Sequence, residues 1–263
     1  MNHQMTAIIK KDIRGITSNK RMLTTLLVVP IVLTIFLPTV YIVILRFVPT
    51  EGEDMLKLLK MLPLSIQGGE STQNLIRLML NYILPVFFLL IPIMASSVMA
   101  AASFVGEKEK RTLETLLYCP LSLKQIFRSK VMASFLLSMF VSAVSFAAML
   151  LVLETETYLI TGTFLLPDIK WLLILLLVAP SISMISITLT VRVSAKAQSV
   201  EDAQQGAVFL LMPVLLLIIG QFTGVLLVSA WILLALGAVC ALLAALLLKR
   251  AIGRFQYEAL LKS

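Results

Sequence analysis

Runs of apolar residues, each broken by a short polar or charged interval, recur along the whole chain. The runs cover 22–45, 82–105, 131–153 and 171–191, and a fifth region from 203 to 248 is long enough for two more. A helix needs about 20 apolar residues to cross a ~30 Å hydrocarbon layer. The pattern therefore predicts six spans, with the last region divided at Gly220-Gln221-Phe222-Thr223-Gly224 into 203–221 and 225–248. That break reads as a tight outer turn or a re-entrant helix. The alternation expected of membrane strands is absent, and every backbone amide in lipid must be satisfied within its own segment, so the expectation is an all-α bundle. Pro30, Pro38, Pro85, Pro92, Pro180 and Pro213 fall inside the predicted spans, as membrane helices tolerate.

Ahead of the first span, Met5, Ile8, Ile9, Ile13 and Ile16 recur near a 3.6-residue period, with Lys10, Lys11 and Arg14 on the opposite face. This predicts an amphipathic helix within residues 1–21 lying in the membrane interface. The alternative is a positively charged leader without fixed structure. The first apolar run is too long for a cleavable signal and no A-x-A site follows it, so it is expected to remain as an anchor. The first outer loop, 46–79, reads as a short surface helix broken at Pro63 and a Gly68-Gly69 turn, and the second, 154–170, as short and acidic. Ser199-Val200-Glu201-Asp202 has the spacing of a capping box that starts a helix. The whole chain, 1–263, reads as one membrane domain.

Composition agrees with this: 59% of the 263 residues are hydrophobic and 14% charged, more apolar surface than a soluble domain of this length buries. Charge sets the orientation. Seventeen of the 22 Lys and Arg lie in the terminal segments and in alternate loops, and five on the other side. The positive-inside rule places both termini and the 106–130 loop in the cytoplasm. The net charge of +8 is thus accounted for by topology and anionic headgroups, without nucleic acid. Cys119 and Cys240 fall in a cytoplasmic loop and in the last span, which argues against a disulfide. With His3 as the only histidine, a His-based metal cluster is excluded.

The loop between the second and third spans concentrates chemistry. GEKEKRTLETLLYCP, residues 106–120, holds six ionised side chains, Glu107, Lys108, Glu109, Lys110, Arg111 and Glu114, with Leu113, Leu116 and Leu117 at helical spacing. Glu107 with Arg111, and Lys110 with Glu114, are four apart and pair along a helix for a few tenths of a kcal/mol each. Cys119-Pro120-Leu121-Ser122 supplies a turn before a second short helix, 123–130. The leucine stripe must be covered: either by lipid or the underside of the bundle, or by a soluble partner whose groove the leucines fill. Pattern alone leaves both open.

The order of an apolar span, then G-E-K-E-K-R-T-L-E-T-L-L, then C-P-L-S and a basic helix, resembles the hallmark segment of the ABC-2 type exporter permeases. Ser194 to Gln205, S-x-x-A-Q-S-V-E-D-A-Q-Q, and the final R-F-Q-Y-E-A-L-L are similar too. The resemblance covers nearly the whole chain. It implies a multi-pass half-transporter of the bacterial plasma membrane, two such permeases (a second copy or a paralogue) forming the pathway above two separate ABC ATPase subunits. It implies that the loop acts as the coupling helix, with Glu107, Glu109, Lys110, Thr112, Leu113, Glu114, Leu116 and Leu117 as contacts and the 5–16 helix beside them. Arg111 departs from the family, where glycine is common.

The chain contains no G-x-x-x-x-G-K-[ST] phosphate loop. It is therefore expected to carry no catalytic residues and no cofactor of its own, with ATP and Mg held by the partner. Asp, Glu, Lys and Arg all fall outside the predicted spans or at their edges, which counts against a proton-coupled carrier. Hydroxyls stud the third and fourth spans. Helix packing is their commoner use, and Ser138, Ser142, Gln221 and Thr223 are the candidates for a pathway or gate. Two other functions fit the same segments: a scaffold that recruits a cytoplasmic partner and moves nothing, and an ion-coupled secondary carrier. Cargo is open among peptides, antibiotics, lipids or their glycan conjugates, and sodium.

Overall fold

The computed structural model describes residues 3–47, 71–109, 112, 121–165, 167–205, 208–222 and 229–254. Every regular element among them is helical. The α-helices are α1 (His3–Thr17), α2 (Lys20–Ile31), α3 (Leu37–Phe47), α4 (Ser71–Leu78), α5 (Leu84–Phe88), α6 (Leu90–Glu109), α7 (Leu123–Thr161), α8 (Ile169–Leu173), α9 (Ala179–Ser194), α10 (Val200–Gln204), α11 (Val208–Phe222) and α12 (Ala230–Arg254). Several join end to end. Five continuous helical stretches are long and apolar enough to cross a membrane: Met22–Ile44, Asn74–Glu109, Leu123–Thr161, Ile169–Ser194 and Ala230–Gly253. This is a multi-pass membrane architecture. Where a fifth of six spans was expected, α11 is a shorter apolar helix of 15 residues, and 206–207 and 223–228 lie outside the described residues.

The helices outrun the apolar windows that predicted them. The short helix expected at 123–130 and the span at 131–153 are one 39-residue helix, α7, which takes in part of the expected second outer loop. At ~1.5 Å per residue it is about 58 Å long, nearly twice the hydrocarbon thickness. It starts on a full capping box, Ser122 with Gln125. It stops at Gly162, whose φ of 65° is a left-handed cap that glycine adopts without Cβ strain, its N–H donating to Tyr158 O at 3.0 Å. Helix also begins at Ser71, eleven residues before the predicted second span. The expected surface helix around Pro63 and the Gly68-Gly69 turn lie outside the described residues.

Three prolines share one accommodation. A five-residue π-helical turn occupies Val32–Phe36, Met79–Ile83 and Ile174–Val178, and each ends two residues before Pro38, Pro85 or Pro180. A proline inside an α-helix lacks its N–H and collides with the carbonyl four residues back. Widening the preceding turn separates them, because the residue before each proline now donates to the carbonyl five back: Leu37 to Val32, Leu84 to Met79, Ala179 to Ile174. In that register Leu80 O would next be served by residue 85, a proline with no N–H. The indole Nε1–H of Trp171 serves it instead, at 3.0 Å. Trp171 is buried against Phe88 and Phe146, with ring centroids 5.4 and 5.1 Å away. Pro92 is met differently, by a turn at Leu89 that separates α5 from α6.

Helix α6 is the hub. Most of its length is buried on all sides, so it is apolar all round rather than amphipathic. Ala95, Ser96, Ser97, Ala100, Ala101, Ala102 and Ser103 keep it thin, and small residues let membrane helices close on one another. It packs most extensively against α9 and α7, and also against α2, α10 and α11. Helix α12 lies along α9 and the π turn before it. There Gly237 admits the side chain of Leu177 so closely that a Cβ would sit 2.6 Å from its Cδ2.

Helix α1 covers the segment ahead of the first span and packs along α7. Ile8, Ile9 and Ile16 are buried in the protein, Ile8 against Ile126.

Candidate functional site

The loop that carries the charged and leucine-rich motif leaves the hub helix at Glu109 and returns at Ser122. Of the eight residues expected to form the coupling contact, Glu107, Glu109 and Thr112 are described. Lys110, Leu113, Glu114, Leu116 and Leu117 lie outside the described residues. Thr112 N–H donates to Glu107 O at 2.9 Å, which holds Thr112 to the last turn of α6.

Glu107 and Glu109 fasten the loop's root in two directions. Glu109 Oε1 accepts the backbone N–H of Val200 at 2.8 Å. Val200 is the first residue of α10, where amide groups lack helical partners and the end of the helix favours an anion. The capping box expected at 199–202 is formed there: Ser199 Oγ accepts Asp202 N–H at 3.1 Å, and Asp202 Oδ2 accepts Ser199 N–H at 3.2 Å. Lys108 reaches Ala195 O at 3.5 Å, just past the C-terminus of α9, the end of a helix that favours a cation.

Glu107 turns inward to a buried ionic cluster. Lys130 Nζ, from α7, lies 2.9 Å from Glu107 Oε2 and 3.7 Å from Asp12 Oδ2 of α1. The Glu107 contact is an ion pair by distance but not an aligned hydrogen bond. Lys130 also donates to the backbone carbonyl of Ser103, and its ammonium sits 5.5 Å from the Phe104 ring centroid, within cation–π reach. The Ser103 hydroxyl donates to Asp12 Oδ2 at 2.6 Å, and Lys11 Nζ donates to Glu107 Oε1 at 2.6 Å. Two cations and two anions leave the cluster neutral. The side chains of Lys130, Asp12 and Glu107 are only 4–8% exposed, whereas Lys11 is 56% exposed. Charges so far from water persist only when paired and hydrogen-bonded.

Asp12, Ser103 and Lys130 were not singled out from sequence, and Lys11 was read only as part of a polar face. One signal was there. Asp12 lies four residues from both Ile8 and Ile16, so it falls inside the apolar stripe of α1, where an acid needs a partner. Glu107 and Lys130, read as loop charges, are instead buried at the junction of α1, α6 and α7.

The candidate pathway hydroxyls sit in the helix contacts. Ser138 Oγ donates to Pro92 O at 3.1 Å and lies 3.2 Å from Ser183 Oγ, joining α7 to α6 and α9. Ser142 Oγ bonds within its own helix, to Ser138 O at 2.9 Å. Ser186 donates to Ile93 O and Thr190 to Ser97 Oγ, at 3.1 and 3.3 Å, continuing the seam. Gln221, at the end of α11, is half-buried, and its Nε2 has no hydrogen-bond partner among the described residues. Thr223 lies outside them. No group of three or more His, Cys, Asp or Glu side chains among the described residues is placed to hold a metal.

A family model described as ABC-2 family transporter protein matches residues 6–232. No curated protein and no solved structure matches the chain.

Proposed function

The chain belongs to the ABC-2 family of transporter proteins, and on that premise we propose that it is the permease subunit of an ATP-driven exporter, coupled through residues 106–120 to a separate ATPase chain. ATP and Mg are bound by that partner, and two permeases, identical or paralogous, line the pathway. The basic ends of the helices, both termini and the 106–120 loop face the cytoplasm of a bacterial cell, as the charge asymmetry favours. Helices α10 and α11 together make the fifth of six spans, and α1 lies at the membrane face beside the loop.

The observation that carries this reading is the anchoring of the loop's root. A coupling element must pass a push from below into the bundle, and a loop tethered only by its backbone would dissipate it. Here Glu107 ties the root to α1 and α7 through Lys130, and Glu109 ties it to the start of α10. Movement of the loop is therefore movement of several helices. Closure of the ATPases on ATP displaces residues 106–120 and rocks those helices together between access states.

The reading is tested at the leucines. Replacing Leu116 and Leu117 by Asp puts two charges into the partner's groove, where anchor side chains are worth ~2 kcal/mol or more each. Copurification of the ATPase is expected to disappear while membrane insertion of the permease is unchanged. Copurification at the wild-type level overturns the reading.

A further inference from the structure

At the basic end of the bundle a groove opens between α1, α7, α9 and α12. Its volume is about 280 Å³, close to the lower end of the ~300–1,000 Å³ typical of small-ligand sites. Met5, Ile9, Met132, Met184, Leu248 and Ile252 form most of its wall, and Arg128 is the only charged residue that lines it. Arg128 is exposed and makes no ion pair or hydrogen bond among the described residues. Lys124 lies one turn before it on α7, and exposed Lys249 and Arg250 immediately follow Leu248 on α12.

We propose that this groove binds one anionic phospholipid, an acyl chain lying along the methionine-lined wall and the phosphodiester meeting Arg128. Three observations select that occupant. The wall has almost no polar surface, so it recognises hydrocarbon and not hydrogen-bonding groups. The groove is too small for a helical segment ~10–12 Å across, whereas a single acyl chain is slender and flexible, and methionine adapts to such irregular shapes. Its cations, Arg128 on α7 and Lys249 and Arg250 beside it on α12, stand where the apolar helices pass into their charged termini. That is the arrangement of a headgroup above its chain, and juxtamembrane Lys and Arg attract anionic lipid. Occupancy ties α1 to α12, since both line the groove.

The test uses the full-length chain equilibrated in nanodiscs of equal phosphatidylglycerol and phosphatidylcholine, then extracted in mild detergent. Retained lipid per chain is counted by native mass spectrometry. The wild type retains phosphatidylglycerol several-fold over phosphatidylcholine, and excess inorganic phosphate does not displace it. Arg128→Gln lowers that retention about fivefold, as expected for one lost cation at an anionic headgroup. Met132→Trp, at the exposed lip, lowers it by obstructing the chain. Equal retention of the two lipids, undiminished retention in either variant, or displacement by phosphate alone overturns the proposal. So does phosphatidylglycerol binding that emerges only after residues 255–263 are deleted, which makes the chain's own C-terminal segment the occupant.

Discussion

Replacing Lys130 by methionine keeps the length of the side chain and removes its charge, leaving Asp12 and Glu107 facing each other with no buried cation between them. Both carboxylates are at least 90% shielded from solvent. Breaking a buried pair by removing one partner costs about 3–5 kcal/mol, because the remaining charge is uncompensated. By contrast, the Lys11–Glu107 pair has an exposed cation, and such pairs are worth about 0–1 kcal/mol. Lys11 therefore cannot substitute for Lys130. In a reversible SDS unfolding titration in mixed micelles, K130M should lose about 3–5 kcal/mol, a change of 10²–10⁴ in the unfolding equilibrium. K11A should lose less than about 1 kcal/mol. Removing one of the stranded anions as well, in K130M/E107Q, should recover part of the loss. If K130M costs no more than K11A, or the double variant is no more stable than K130M alone, the cluster does not hold α1, α6 and α7 together as argued.

Three further variants probe the bundle. W171F deletes the indole donor to Leu80 O; leaving that buried carbonyl unserved should cost about 1–3 kcal/mol in the same titration, and a neutral effect would mean that another donor reaches it. G237A places a Cβ 2.6 Å from Leu177 Cδ2 and 2.8 Å from its Cγ; overpacking of about 1–3 kcal/mol is expected, and adding L177A should relieve it. S138A removes the donor to Pro92 O and a contact with Ser183, worth about 0.6 kcal/mol on the average for such bonds between membrane helices. If Ser138 packs helices, stability falls by that amount and transport follows it; altered transport at unchanged stability would point to the pathway instead.

The apolar runs made the spans legible because crossing hydrocarbon needs a minimum length of apolar chain, and five of the six predicted spans have a long helix. They did not give the helix ends. Glu154 and Glu156 are charged yet remain in α7, since leaving the hydrocarbon does not oblige a chain to stop being helical. A backbone signal, Gly162, ends it. The Ser199 and Asp202 capping box was readable because both partners lie within one turn. The buried cluster was not, because Asp12, Glu107 and Lys130 belong to different helices and meet only when the bundle closes. Proline positions were visible, but their answer in widened turns depends on which carbonyl each proline orphans and what lies opposite, as Trp171 does for Leu80. For the 106–120 loop, sequence supplies the leucines, while the structure supplies the root at Glu107 and Glu109.

The claim that the chain is driven from below through residues 106–120 is tested most directly by ATP hydrolysis in proteoliposomes. The partner ATPase is assayed alone, with the wild-type permease, and with the permease carrying L116D and L117D. The wild type is expected to change the rate of hydrolysis several-fold, and the double variant to return it to that of the ATPase alone. A rate that is the same with and without the permease, or that the double variant leaves as the wild type sets it, would contradict the account.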